Sequence, residues 1–139
     1  IDIDNFKKFN DTHGHQEGDS ALKELAGILS QNLRSIDSAA RYGGEEFTII
    51  LPETLLEGAL NTAERISNEV KKHSFDIMGN KAHITVSIGV STFPDDAMDR
   101  EGLIKAADDA LYMSKRKGRN SISTFRQYKI ESAGATPQS

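Results

Sequence analysis

Apolar and acidic positions alternate from the first residue. Ile1-Asp2-Ile3-Asp4 has the two-residue period of a half-buried strand, with Asp2 and Asp4 on one face. A strand already under way at residue 1 predicts that its beginning lies upstream. Asp4 or Asn5 then caps a short helix expected from Phe6 to about His13-Gly14. Leu22, Leu25, Ala26, Leu29 and Leu33 recur at helical spacing and predict a longer helix over about Gly18 to Leu33. Two strand-like runs, Ala39 to Tyr42 and Phe47 to Leu51, flank Gly43-Gly44, which predicts a hairpin closed by Pro52. Leu56, Ala59, Leu60, Ala63, Ile66 and Val70 mark a third helix.

Phe75 to Met78 reads as a short edge strand turning at Gly79-Asn80. Ala82 to Ser91 reads as a strong strand with Ile84, Val86 and Ile88 on one face. Leu103, Ala107, Ala110 and Leu111 mark a last helix ended by Gly118, and Ser121 to Phe125 a final strand. From Arg126 the pattern fades, so residues 126–139 are expected to be a tail or linker and residues 1–125 the domain. The order β-α-α-β-β-α-β-α-β mixes hairpins with helices. It predicts an α+β fold with a central mixed, largely antiparallel sheet flanked by helices.

Composition narrows the chemistry. The chain has 139 residues and no cysteine, which removes a thiol nucleophile and a disulfide scaffold. Its formal net charge of −4 argues against nucleic-acid binding through bulk electrostatics, so an anionic substrate needs local basic groups or a metal. No apolar run approaches membrane-spanning length, and nothing resembles a signal peptide.

The chemically telling stretch is Arg41-Tyr42-Gly43-Gly44-Glu45-Glu46-Phe47. Glycines at the turn let another molecule approach the backbone. Glu45 and Glu46, adjacent on a strand, should face opposite ways and do different jobs. Alone, this reads as an ordinary hairpin with an acidic tip. If the first strand lies beside the hairpin, a strand carboxylate and Glu45 meet. Two carboxylates and a backbone carbonyl are hard oxygen ligands suited to Mg²⁺. For Asp4 the readings of helix cap and ligand both stand.

The chain resembles the GGDEF family of diguanylate cyclases, in the variant with Glu at the third motif position. The resemblance runs through Asp2-Ile3-Asp4-Asn5-Phe6-Lys7, Asn10-Asp11, Gly14-His15, Gly18-Asp19 and the Arg41–Phe47 stretch. It continues through Val86-Ser87-Ile88-Gly89-Val90, Ala107-Asp108, Ala110-Leu111-Tyr112 and Lys115 to Asn120. It implies a ferredoxin-like, nucleotide-cyclase-like palm core. It also implies condensation of two GTP into cyclic di-GMP with loss of two pyrophosphates.

Carried over residue by residue, the resemblance implies Asp2, the Ile3 carbonyl and Glu45 as ligands for Mg²⁺ or Mn²⁺. Asp2, Glu45 and Glu46 become the catalytic carboxylates, Glu46 as second-metal ligand or proton acceptor. Asn10 and Asp19 are implied guanine readers. Gly43 and Gly44 give close approach, and Lys7, Lys115 and Arg119 are implied phosphate contacts. Without the resemblance, Asn10 and Asp19 would read as helix caps, and Lys115 and Arg119 as complements to a helix dipole. Arg116 and Lys117 read as a solvated face.

Arg34-Ser35-Ile36-Asp37 has the Arg-x-x-Asp form and offset of the family's inhibitory cyclic di-GMP site, with Arg65 as a secondary contact. A catalytic homodimer follows from the symmetry of the product, each domain holding one GTP. The resemblance also implies an upstream sensory or receiver domain. A helix and a short Asp/Leu/Thr-containing motif would precede the first strand, so the domain is expected to lack its front end here. GTP as substrate implies a cytoplasmic location, within a larger signalling protein for which membrane attachment stays open. The competing expectation is a catalytically silent regulatory module that binds GTP or cyclic di-GMP.

Overall fold

The computed structural model describes residues 1–134. Seven strands and five helices follow one another in it: β1 (Asp2–Ile3), α1 (Phe6–His13), α2 (His15–Asn32), β2 (Ser38–Arg41), β3 (Phe47–Ile50), α3 (Leu56–Lys72), β4 (Phe75–Ile77), β5 (Asn80–Ala82), β6 (Val86–Val90), α4 (Arg100–Arg116), β7 (Ile122–Thr124) and α5 (Phe125–Gly134). No helix among the described residues is long and apolar enough to cross a membrane.

Backbone hydrogen bonds run continuously from β2 to β7. The β2–β3 hairpin is antiparallel, with Arg41 opposite Phe47. An antiparallel bridge between Asp2 and Glu46, and reciprocal 2.8 Å bonds between Ile1 and Phe47, join β3 to β1. β1 pairs antiparallel with β6, Asp2 opposite Ser87. β6 pairs parallel with β7, Ile88 opposite Ile122. The sheet is therefore mixed and largely antiparallel, as the element order predicts.

Successive β6 residues point to opposite faces. Val86 and Ile88 join a buried cluster with Leu22, Leu25 and Leu29 of α2 and Ile66 and Val70 of α3. Gly89 points the other way, under α4, where a Cβ would stand 2.2 Å from the Ala107 carbonyl oxygen and 2.3 Å from the Leu111 nitrogen. Ser114 Oγ of α4 donates to the Ile88 carbonyl at 2.8 Å. The α4 helix begins where the Asp99 carboxylate accepts the Gly102 N–H at 2.7 Å.

Three expectations need revision. The long helix starts at His15 rather than Gly18, because Gly14, at φ 94°, breaks the chain between α1 and α2. The run Ala82–Ser91 is not one strand. Ala82 pairs with Phe75 in the separate β4–β5 hairpin, turning at Met78 and Gly79 with φ 49° and 84°, while β6 begins at Val86. The expected tail begins as helix α5. Thr124 and Gln127 cap it reciprocally: Thr124 N–H donates to Gln127 Oε1 at 2.8 Å and Gln127 N–H to Thr124 Oγ1 at 3.1 Å. Residues 135–139 of that tail lie outside the described residues.

Candidate active site

The end of β1, the start of α1, the hairpin turn and the end of α4 enclose a cavity of about 390 Å³. Asp2, Ile3, Asp4, Lys7, Glu45, Lys115 and Arg119 line it, together with Asn5, Phe6, Lys8 and Asp11. Sequence separation of more than a hundred residues thus closes to one site. The predicted metal ligands and the predicted phosphate contacts share it.

Two devices hold the ligand-bearing segments together. The Ile3 N–H donates to the Glu45 carbonyl at 3.2 Å, tying β1 to the turn. The turn itself is clamped by Arg41, whose Nε donates to the Gly43 carbonyl at 3.1 Å and whose Nη2 donates to that of Gly44 at 2.7 Å. No signal in the sequence singles out Arg41 for this role beyond its place beside the glycines. A Cβ on Gly44 would meet nothing within 4 Å, so the space before the turn is open.

Asp2 is only 3% exposed, and its Oδ1 is buried without a hydrogen-bond partner. Its other oxygen pairs with Lys115 Nζ. Burial, then the Asp2 carboxylate, pushes the Glu45 carboxyl above the usual glutamate range, against the pull of Lys115. An orphaned carboxylate oxygen beside a second, mutually repelling carboxylate fits a cation. Among the described residues no cluster of three or more His, Cys, Asp or Glu side chains is arranged to hold one. A metal here would rest on Asp2, Glu45 and the Ile3 carbonyl, and take further oxygens from water and substrate phosphates, as Mg²⁺ commonly does.

Asp4 is neither cap nor open ligand. Asn5 occupies the α1 cap position with φ 56° and makes no side-chain cap bond. The Asp4 carboxylate instead accepts from Thr85 Oγ1 and Ser87 Oγ, both at 2.6 Å, and from the Asn120 N–H at 2.9 Å. Arg119 and Asn120 both have positive φ, 66° and 48°, so this clip holds the strained turn that presents Arg119 to the cavity.

Glu46 lies on the other side of the sheet from Glu45. It lines a second, larger cavity of about 650 Å³ between β3, β6, α3 and α4, and its Oε2 stays 3.8 Å from where a Cβ on Gly43 would stand. The two adjacent glutamates thus divide between two cavities. Asn10, Asp19, Gly43 and Gly44 do not line the first cavity. Asn10 sits near the end of α1 with a buried, unpartnered Oδ1, packed on Gly18 of α2, and Asp19 is exposed one residue further along α2.

A separate cluster forms behind the hairpin. Arg34 forks onto Asp37, Nη2 to Oδ1 at 2.8 Å and Nε to Oδ2 at 3.2 Å, and its Nη2 also donates to the Pro52 carbonyl and Thr54 Oγ1. The Arg34 hydrogen bond holds the Asp37 carboxyl below its usual range. Arg65 of α3 reaches Asn32, with Nε to Oδ1 at 3.1 Å and Nη2 to its carbonyl at 2.7 Å, two residues before Arg34.

The model of the diguanylate cyclase GGDEF domain matches residues 1–121. The chain belongs to the GGDEF family. Diguanylate cyclase A of Treponema denticola is 46% identical over 122 residues, 88% of this chain and 33% of that protein. Response regulator PleD of Caulobacter vibrioides is 46% identical over 124 residues, 88% of this chain and 27% of that protein. The chain therefore spans about a third or less of these curated relatives. Among solved structures, the active GGEEF domain of a diguanylate cyclase from Vibrio cholerae superposes with a TM-score of 0.80 at 36% identity, covering 91% of this chain and 80% of that one. The GGDEF domain of DgcB from Caulobacter crescentus, solved with c-di-GMP, gives 0.82 at 37% identity over 90% and 74% of the two chains. The mixed α+β fold expected from the element order, and the GGDEF fold implied by the family resemblance, are thereby established.

Proposed function

We propose that this GGEEF domain is the catalytic part of a diguanylate cyclase, joining two GTP molecules into cyclic di-GMP with release of two pyrophosphates. The observation that carries the reading is that Asp2, whose buried Oδ1 has no hydrogen-bond partner, lines one cavity with Glu45, Lys115 and Arg119. Asp2, Glu45 and the Ile3 carbonyl would hold Mg²⁺ or Mn²⁺. That ion would supply charge neutralisation at the phosphates and a lowered pKa for the attacking 3′-hydroxyl.

Lys7, Lys115 and Arg119 bind the triphosphate oxygens in this reading and hold the α-phosphorus in line with the attacking hydroxyl. Asp19 accepts the N–H groups of guanine's Watson–Crick edge. Adenine leaves that acceptor unpaired, which is how such sites discriminate. Asn10 contacts the same base. Gly43 and Gly44 let the nucleotide lie against the turn. Glu46, beside Gly43, takes the role of second-metal ligand or proton acceptor.

The product is two-fold symmetric and each domain offers one GTP site, so two copies of the domain face each other in the act. Arg34, Asp37 and Arg65 form the inhibitory site for cyclic di-GMP. With GTP as substrate, the domain acts in the cytoplasm in this reading, under an attached sensory or receiver domain.

The test is chromatography of nucleotides after incubating concentrated protein with GTP and Mg²⁺, beside a Glu45→Ala control. Cyclic di-GMP from the parent, with a loss on the order of 10²-fold or more in the control, supports the reading. Equal turnover by both proteins removes Glu45 from the metal site. Nucleotide binding without product from a dimeric sample makes the domain a regulatory module instead.

A further inference from the structure

Gly18 stands where α2 crosses α1. A Cβ there would lie 1.8 Å from Asn10 Oδ1, 2.9 Å from Asn10 Cγ and 3.2 Å from Phe6 Cζ. Gly18 is buried within its helix and its φ is not positive, so backbone conformation does not demand glycine. Gly18 is the fourth residue of α2, and a glycine inside a helix costs up to about 1 kcal/mol against alanine, which calls for a local reason. The reason on this surface is the Asn10 amide. Its Oδ1 is buried, with no hydrogen-bond partner among the described residues, and rests against the bare Gly18 backbone.

We infer that Gly18 is a positioning residue for nucleotide recognition: the missing side chain seats the Asn10 amide oxygen and so turns its NH₂ edge outward, as a fixed donor to the base. An amide free to flip would present oxygen or nitrogen in turn, and only one of them matches a purine acceptor. The seat removes that ambiguity before the ligand arrives, which lowers the ordering cost of binding. The link to recognition rests on the reading of Asn10 as a base contact. The seat itself does not.

Gly18→Ala collides with the far end of a short side chain, not with backbone. Asn10 can swing away, so the fold survives and the orientation is lost. Phe6 Cζ, at 3.2 Å, needs to yield by only a few tenths of an ångström.

The experiment combines two readouts on the parent, Gly18→Ala, Asn10→Ala and the double variant. The first is the pair of side-chain NH₂ signals of Asn10 in ¹⁵N-labelled protein without nucleotide. Slow rotation about the amide C–N bond keeps two signals in every protein, so the seat is read from mobility: ¹⁵N relaxation should show a rigid Asn10 amide in the parent and a mobile one in Gly18→Ala. The second is calorimetric binding of 3′-deoxy-GTP with Mg²⁺, a ligand that lacks the attacking hydroxyl. Each single variant is expected to bind about 10-fold more weakly, roughly one hydrogen bond. The double variant should also be about 10-fold weaker, not about 100-fold, because the glycine acts through Asn10. It has room for the new methyl group and so controls for folding.

An Asn10 amide as rigid in Gly18→Ala as in the parent overturns the seat. A mobile amide in Gly18→Ala with parent-like binding in both single variants leaves the seat standing and overturns Asn10 as a base contact. Multiplicative losses in the double variant show that Gly18 acts by another route and overturn the inference.

Discussion

The Asp4 carboxylate accepts the backbone N–H of Asn120 at 2.9 Å, across 116 residues of chain. With Thr85 and Ser87 on the same carboxylate, one side chain joins β1, β6 and the turn after α4. Hydrogen bonds to a charged acceptor contribute about 1.5–3 kcal/mol each, and bonds sharing one group do not add fully. Asp4→Ala should therefore destabilise the domain by about 2–4 kcal/mol in urea unfolding. It should also weaken triphosphate binding, because Arg119 loses its anchor. An unfolding midpoint equal to the parent's would show that the clip holds nothing.

Gly89 lies under α4 with two backbone atoms closer than 2.4 Å to any Cβ it might carry. Neither the Ala107 carbonyl nor the Leu111 nitrogen can turn aside as a side chain can. Gly89→Ala must push α4 off the sheet, at about 1–3 kcal/mol or more for overpacking. Lys115, on the last turn of the same helix, would shift with it. A crystal structure of the variant with α4 unmoved would refute this packing account.

The Glu45 carboxyl is pushed up by burial and by Asp2. A pKa raised in the folded state means the folded chain holds this proton more tightly than the unfolded one. The resulting stabilisation is complete below the unfolded value and is lost as pH rises through the folded one. Glu45→Gln cannot titrate. In EDTA, the parent's Tm should therefore fall relative to that of Glu45→Gln as pH is raised from about 4 to about 7. Mg²⁺ should then raise the parent's Tm at the upper end and leave the variant's unchanged. Parallel curves without metal would mean that Glu45 feels neither burial nor Asp2.

Periodicity reveals α2, α3 and α4, and paired glycines the GGEEF hairpin, because each carries its signal within a few residues. It also reveals that Glu45 and Glu46 part company, since adjacent strand residues face opposite ways. It cannot reveal Asp4's work, whose partners lie 81, 83 and 116 residues away. Nor does it reveal that Ala82–Ser91 serves two sheets, because alternation persists through the irregular residues between Ala82 and Val86. Helix α5 could have been read. Thr124-Phe125-Arg126-Gln127 is a capping box, but α5 buries no residue and so offers no stripe to find. The proposed guanine-reading roles of Asn10 and Asp19 come only from the family pattern, since neither residue lines the cavity that gathers the other site residues.

The Arg34–Asp37 pair looks like an ordinary surface bridge by spacing, yet its surroundings are unequal. Asp37's side chain is 3% exposed and Arg34's is 53% exposed. The carboxylate serves as a buried anchor and the guanidinium as the presented group. Nε and Nη2 are taken by Asp37, Pro52 and Thr54, whereas Nη1 makes no hydrogen bond among the described residues. Arg65 approaches through Asn32 with its own Nη1 likewise uncommitted. Two oriented, half-spent guanidiniums suit an anion or a guanine edge better than a lone flexible arginine does. Arg34→Ala should raise the cyclic di-GMP concentration needed for half-inhibition by about 10-fold or more, a charged hydrogen bond's worth. Initial turnover should stay within about twofold of the parent's, because the pair lies outside the Asp2–Glu45 cavity. Arg65→Ala should give a smaller shift in the same direction. Equal inhibition of Arg34→Ala and parent would leave the pair as a structural tie between the end of α2 and the Pro52–Thr54 loop.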